Sequence, residues 1–222
     1  MRELCLVGSL IFNSFKNQMI KFYYGCMASG KSLHLLATAH NFEEKNISFV
    51  VIKSDIDDRD GKDIIHSRAL GDRECVSVKP TTNIYKMITT LLNINHAMFK
   101  PQLKWVLVDE AQFLSEEQVN QLAALSDNFN INILCYGLRT DFRTKLFEGS
   151  KRLFEIADSI EEIKSQCSCD RKTHVNARVD KDGNVIIDGE QVEIGGDDRY
   201  VSMCRKCYYE KIKNPLYIRK DN

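Results

Sequence analysis

The stretch from Gly25 to Ser32 constrains this chain more than any other part of its sequence. It fits the pattern G-x-x-x-x-G-K-[ST], and the residues in order are Gly25, Cys26, Met27, Ala28, Ser29, Gly30, Lys31 and Ser32. An apolar, aromatic run from Ile20 to Tyr24 precedes it, and a helical periodicity begins at Lys31. This strand, loop and helix context predicts a P-loop, in which backbone N–H groups and a helix dipole bind phosphate oxygens.

A second apolar run ends in two acids. Trp105 to Val108 predicts a strand that stops at Asp109 and Glu110, and parallel sheets place ligands beyond the carboxyl ends of their strands. We expect ATP as the ligand, with Lys31 neutralising its β- and γ-phosphates and with Ser32 and Asp109 holding Mg²⁺. Glu110 is then a second carboxylate facing the reaction. It either takes a proton from a substrate hydroxyl, as in a kinase, or activates water, as in an ATPase.

The order of the predicted elements indicates an α/β fold. Strand-like and helix-like patterns alternate along the chain, which predicts a mostly parallel sheet with helices on its faces. In the first helix, Leu33, Leu36, Ala37 and His40 are expected to share one face. The further predicted strands are Ile47–Lys53, Val76–Val78, Trp105–Val108 and Ile131–Tyr136, and the further predicted helices are Ile84–Leu92 and Glu116–Phe129.

The character of the chain changes near residue 165. Beyond it lie Asp-Gly turns and short β-type segments at Val185–Ile187 and Gln191–Ile194, which favour a hairpin. We predict a P-loop domain over residues 19–165, a small domain over 166–215 and a tail over 216–222. Residues 1–18 are interpreted as an N-terminal extension or a mis-assigned start, with Met19 as the true start. A short export signal is the alternative, but Leu4 to Phe12 lacks a clear cleavage site.

Four of the eight cysteines form two close pairs, C-x-C at Cys167 and Cys169 and C-x-x-C at Cys204 and Cys207. In a chain that uses ATP, paired cysteines favour a metal over a disulfide. Four thiolates from two turns suit a structural Zn²⁺, although C-x-C is tighter than the usual spacing. Two buried thiol pairs or a redox switch are the alternatives, and His174 is a weaker candidate ligand.

Charge and hydropathy restrict the partners. The 31 basic and 31 acidic residues balance, whereas a protein that grips a nucleic-acid backbone normally has a basic excess or stripe. Apolar runs are too short to cross a bilayer. We therefore expect neither a nucleic-acid nor a membrane partner, and the predicted ATP site favours a cytoplasmic protein.

Taken together, the motifs resemble the type II thymidine kinases. The resemblance is carried by the P-loop, Asp57-Asp58-Arg59, Asp109 to Phe113, Gly137 to Phe142 and the paired cysteines, in that order along residues 20 to about 210. It implies a RecA-like P-loop domain and a small zinc domain with a long lasso loop over the nucleoside. The implied reaction is transfer of the γ-phosphoryl group of ATP to the 5′-hydroxyl of thymidine.

The resemblance also implies residue roles. Glu110 matches the general base for the 5′-hydroxyl. The segments that line the nucleotide and its metal correspond to Asp57, Asp58 and Arg59 and to Asp109, Glu110, Ala111 and Gln112. Phe142 matches the aromatic residue beside thymine, with Met27, Phe113 and Leu138 around it and Tyr200 completing the pocket. The lasso backbone that binds the base corresponds to Gln191, Val192, Glu193, Ile194 and Gly195.

For the residues around the base, ordinary core packing is the alternative interpretation, and Phe142 on its polar loop is the residue that fits it least. The resemblance further implies a homotetramer or homodimer and feedback inhibition by dTTP. A rival hypothesis is a P-loop ATPase whose zinc module binds nucleic acid or a protein, which predicts hydrolysis without a nucleoside acceptor.

Overall fold

A computed structural model of the protein describes residues 20–56, 61, 63–67, 70–97, 102–191, 200–214 and 216. Its strands are β1 (Ile20–Tyr24), β2 (Phe49–Ser54), β3 (Ile64–Ser67), β4 (Gly71–Glu74), β5 (Val76–Val78), β6 (Trp105–Asp109), β7 (Asn132–Gly137), β8 (Ser159–Glu162), β9 (Val175–Val179), β10 (Val185–Ile186) and β11 (Tyr200–Met203). Its helices are α1 (Lys31–Glu44), α2 (Ile84–Ala97), α3 (Glu116–Phe129), α4 (Glu148–Ile156) and α5 (Arg205–Lys211).

The main sheet has six strands in the order β5-β2-β6-β7-β1-β8, and every neighbouring pair is parallel. This confirms the predicted α/β fold class. β7 lies between β1, which leads into the P-loop, and β6, which ends at Asp109. Because the strands are parallel, the P-loop and Asp109 meet at the same edge of the sheet.

Successive strand residues point to opposite faces and build two hydrophobic layers. Phe22, Val106 and Val108 pack on one face with apolar residues of α2, α3 and α4. Tyr23 and Leu107 pack on the other face with α1 and with Ile65 of β3. Burying both faces explains why these strands read as continuous apolar runs in the sequence.

The predicted apolar face of α1 is only partly correct, because Leu36 is buried but other members are not. Leu33 is 41% exposed and His40 is also exposed, whereas Lys31, Leu35, Leu36 and Ala39 are buried. Lys31, Leu35 and Ala39 follow an i, i+4, i+8 row, and Leu36 lies next to it. The P-loop therefore sets the rotation of the helix about its axis, because Lys31 must point inward to reach phosphate. This rotation places Leu35 and Ala39 on the buried side.

Other element boundaries differ from the sequence-based prediction by a few residues. β2 begins at Phe49 rather than Ile47, and β7 covers Asn132–Gly137 rather than Ile131–Tyr136. α2 continues to Ala97 rather than stopping at Leu92. The predicted start and end of α3 are confirmed, since a capping box between Ser115 and Gln118 fixes its first turn.

A second, three-stranded antiparallel sheet has the order β10-β9-β11. The Asp182-Gly183 turn joins β9 to β10, which confirms a hairpin at the first of the two Asp-Gly turns. Gln191 lies in a bend, and residues 192–194 lie outside the described residues. The first sheet ends at Glu162 and the second begins at Val175. A domain boundary near residue 165 stays a prediction.

Candidate active site at the P-loop and the second sheet

The P-loop has the backbone geometry that its glycines permit. A Cβ atom at Gly25 would lie 2.4 Å from Ser29 Oγ and 2.6 Å from the Ile163 carbonyl oxygen, so only glycine fits there. Gly30 has a φ of 90°, which residues with a side chain rarely adopt. Among the described residues, no side chain caps the N-terminus of α1. Its first N–H groups are therefore placed to bind an anion.

Two predicted magnesium ligands lie next to each other. Ser32 Oγ donates to Asp109 Oδ2 over 3.3 Å, which joins the start of α1 to the end of β6. Asp109 is only 3% exposed, and its Oδ1 has no hydrogen-bond partner within the described part of the chain. Burial and the neighbouring Glu110 carboxylate raise the pKa of Asp109 well above its usual range. A buried carboxylate oxygen beside a hydroxyl fits a divalent cation, which would compensate this charge.

Lys31 is buried, with 7% of its surface exposed. Its Nζ donates to the Cys26 carbonyl oxygen over 2.9 Å. The Lys31 side chain therefore folds back over the P-loop, on the side where phosphates would bind.

Glu110 is held in an unusual conformation. Its φ of 49° and ψ of 39° lie in the left-handed region, which is costly for a residue with a side chain. Gln112 Nε2 donates to Glu110 Oε2, and Gln112 Oε1 accepts from the Leu138 N–H over 2.9 Å. Gln112 is 1% exposed, so it lies behind Glu110. The backbone turn and the glutamine together orient the carboxylate.

The residues predicted around the nucleoside differ in burial. Met27, Phe113 and Leu138 are half-buried rather than core residues. Phe142 is 1% exposed, although its polar loop suggested the least core-like environment of the set. Its ring is covered by the Arg178 guanidinium, whose central carbon lies 4.2 Å from the ring centroid. Tyr208 donates its hydroxyl to the Phe142 carbonyl over 3.2 Å.

Two further predicted residues are paired with neighbours of Phe142. Gln191 donates its amide to Asp141 Oδ2 over 3.2 Å, and Tyr200 is paired with Arg178 across β11 and β9. The remaining residues predicted for the nucleotide and the lasso lie outside the described residues, namely Asp57, Asp58, Arg59, Val192, Glu193, Ile194 and Gly195.

The second sheet contacts the P-loop directly. Asn176 Oδ1 accepts from the Met27 N–H over 2.8 Å, and Ser202 Oγ donates to the Met27 carbonyl over 2.8 Å. Both backbone groups of one P-loop residue are therefore held by β9 and β11. Sequence reasoning missed Asn176, Ser202 and Arg178, because β9 had not been predicted and polar residues in an unassigned segment are not distinctive.

The four paired cysteines converge. The Sγ atoms of Cys167, Cys169, Cys204 and Cys207 all lie within 4.8 Å of one another. Four sulfurs bound at about 2.3 Å to one tetrahedral Zn²⁺ would be about 3.8 Å apart, so the set fits this ion. Both members of the tight C-x-C pair belong to the group, whereas His174 does not.

Thiol acidity in this cluster is uneven. Burial by itself raises the pKa of Cys167, but hydrogen bonds from the backbone at Cys169 and Cys204 lower it overall to about 6. Hydrogen bonds with Cys169 and Cys204 raise the pKa of Cys207 to about 12. These opposite shifts are those expected when a negative charge is shared among close sulfurs.

The parallel sheet, the P-loop and the carboxylates at the end of β6 define a P-loop nucleotide-binding protein. The model of the thymidine kinase family matches residues 18–208. The chain is 44% identical to a thymidine kinase of Vibrio vulnificus, over 86% of this chain and 96% of the relative. It is also 44% identical to a thymidine kinase of Listeria innocua, over 84% of this chain and 94% of the relative. The chain belongs to the thymidine kinase family.

Among solved structures, the chain is similar to a DNA replication initiation factor with a TM-score of 0.41 and 19% identity. That match covers 71% of this chain and 43% of the other, so the chain spans less than half of that protein. Within the described ranges, none of the helices is long and apolar enough to cross a membrane.

Proposed function

We propose that this chain transfers the γ-phosphoryl group of ATP to the 5′-hydroxyl of thymidine, giving ADP and dTMP. The observation that carries the proposal is the position of Glu110, held by its left-handed backbone and by Gln112 next to the Ser32–Asp109 pair. A carboxylate oriented this firmly at the phosphate end of the sheet suits a group that must accept a proton at one defined point.

Phosphoryl transfer depends mainly on alignment and on stabilisation of charge. We assign the P-loop backbone and Lys31 to the phosphates of ATP. Ser32 and Asp109 would hold Mg²⁺, which when bound neutralises charge on the phosphate oxygens. Arg59 is proposed to assist, together with Asp57 and Asp58. Glu110 takes the proton from the attacking hydroxyl, and Gln112 keeps its carboxylate oriented.

For the nucleoside we propose the half-buried Met27, Phe113 and Leu138 as apolar contacts. Phe142 and Tyr200 are proposed as the aromatic walls. The backbone of residues 191–195 would read the pyrimidine edge. The bond between Gln191 and Asp141 supports this arrangement, since it anchors the start of that segment beside Phe142.

We propose that the four cysteines hold one structural Zn²⁺. When bound, this ion would cross-link the segment before β9 to the segment after β11 without taking part in the reaction. The contacts of Asn176 and Ser202 with Met27 then connect the cross-linked sheet to the P-loop. We further propose a homotetramer or homodimer and feedback inhibition by dTTP, which the resemblance to the type II thymidine kinases implies, together with a cytoplasmic location.

One assay tests the proposal against the rival ATPase. ADP release is measured with purified protein, ATP and Mg²⁺, first without and then with thymidine. The kinase predicts thymidine-dependent ADP release with equimolar dTMP. ADP release at the same rate in both conditions, with no dTMP, would contradict the proposal and favour the ATPase.

A further inference from the structure

A buried arginine lies in the second sheet. Arg178 is on β9, the central strand, and is only 6% exposed. Arginine is rarely buried unless its donors are satisfied, because desolvating a permanent charge is costly. The groups that its Nη atoms contact therefore indicate what it contributes to the protein.

The guanidinium is enclosed by the chain at residues 188–190. Arg178 Nη2 donates to the Asp188 carbonyl over 3.2 Å, and Nη1 donates to the Glu190 carbonyl over 3.4 Å. Between them, Gly189 has a φ of +126°, and a Cβ atom there would lie 2.3 Å from Nη2. The backbone at Gly189 is therefore shaped around this one side chain, and only glycine allows the approach.

The same guanidinium covers the ring of Phe142 at 4.2 Å from its centroid. Phe142 belongs to the turn after β7, in which the Asp141 carboxylate accepts from the Gln191 amide. Across the sheet, Arg178 faces Tyr200 of β11. The Arg178 side chain thus contacts the Phe142 ring and the 188–190 segment. Arg178 is also the strand partner of Tyr200, the second aromatic residue of the proposed nucleoside subsite.

We infer that Arg178 is a positioning residue for nucleoside binding, an inference that rests on the proposed function. It joins Phe142 and the 188–190 segment into one preformed surface, so the enzyme does not have to order them when thymidine binds. It acts through these groups and not on the reacting atoms. Its loss should therefore weaken thymidine binding while leaving ATP binding and the chemical step nearly intact.

The test uses two variants that break the same contact from opposite sides. Arg178→Met keeps an unbranched apolar stem but removes the guanidinium and its donors. Gly189→Ala places a methyl group where Nη2 lies. The matched control is Gly183→Ala, because Gly183 also has a positive φ of 79° but a Cβ atom there meets nothing within 4 Å.

For Arg178→Met and Gly189→Ala we expect the thymidine KM to rise by about 10- to 100-fold, the size expected when hydrogen bonds to a charged group are lost. We expect kcat at saturating thymidine and the KM for ATP to change by less than about twofold. Gly183→Ala should match the wild type. An unchanged thymidine KM, a parallel rise of both KM values, or an equal effect in Gly183→Ala overturns the inference.

Hydrogen exchange provides a readout that does not depend on activity. Peptides covering residues 186–191 should exchange faster in Arg178→Met, and P-loop peptides should not. Unchanged exchange at 186–191 refutes the inference about Arg178. Faster exchange there, combined with full thymidine affinity in a Phe142→Ala variant, refutes instead the proposed nucleoside role of Phe142, so the two failures are distinguishable.

Discussion

Gln112 should be essential for the rate of phosphoryl transfer although it does not touch the reacting atoms. Its side chain bridges the Leu138 N–H and the Glu110 carboxylate, and it is 1% exposed. Gln112→Ala removes this bridge. The Glu110 carboxylate can then rotate away from the position in which it accepts a proton, because its own backbone does not fix the side-chain torsions.

The size of the effect follows from the bond that is lost. A hydrogen bond to a charged group contributes about 1.5–3 kcal/mol. If that contribution is expressed fully in the transition state, kcat falls by about 10- to 150-fold, since about 1.4 kcal/mol corresponds to a factor of ten. The Leu138 N–H also loses its acceptor, so the free energy of unfolding should fall by about 1–3 kcal/mol.

Gln118→Ala is the matched control. Gln118 is 2% exposed and donates to the Lys79 and Thr82 carbonyls, so its loss should lower stability by a similar amount. It lies in the first turn of α3 and does not contact Glu110. We therefore expect its kcat to be that of the wild type.

The assay is steady-state kinetics with both substrates varied, together with denaturant unfolding of each variant. Gln112→Ala should lower kcat with little change in either KM, and Gln118→Ala should lower only stability. A kcat within twofold of the wild type for Gln112→Ala would contradict this role of Gln112. An equal loss of kcat in the two variants would contradict it as well.

Three other predictions test the remaining assignments. Glu110→Gln should bind ATP normally but lower kcat by about 10²- to 10⁴-fold, the usual contribution of a positioned general base; a near wild-type rate would exclude that role. Zinc should copurify at about one ion per chain. Metal-free protein prepared without chelator, or full activity of a Cys204→Ser/Cys207→Ser variant, would contradict the structural site. Deoxycytidine should be rejected by about 10⁴- to 10⁵-fold in kcat/KM, because it mismatches buried hydrogen-bonding groups, whereas deoxyuridine, which lacks one methyl group, should lose only about 10- to 200-fold. Phe142→Ala should weaken all nucleosides alike, and equal kcat/KM values for thymidine and deoxycytidine would refute readout by the backbone of residues 191–195.

The sequence alone predicted the parts of the site that are encoded by consecutive residues. The P-loop needs glycines, a lysine and a hydroxyl at fixed spacing, so Gly25 to Ser32 was recognisable without any tertiary information. The apolar strand ending at Asp109 was recognisable for the same reason, since both faces of a parallel strand are buried. The paired cysteines are equally local, and all four do converge.

Tertiary structure decided the features that depend on residues distant along the chain. The buried face of α1 follows from the direction of Lys31, which an isolated periodicity does not specify. β9 pairs with β10 across a short turn. It also pairs with β11, which is distant along the chain, and neither strand carries a sequence pattern that predicts this pairing. Asn176, Ser202 and Arg178 acquire their roles only through this pairing. The role of a polar residue in a strand depends on the groups that the fold places next to it. For these three residues the groups are the P-loop, Phe142 and residues 188–190.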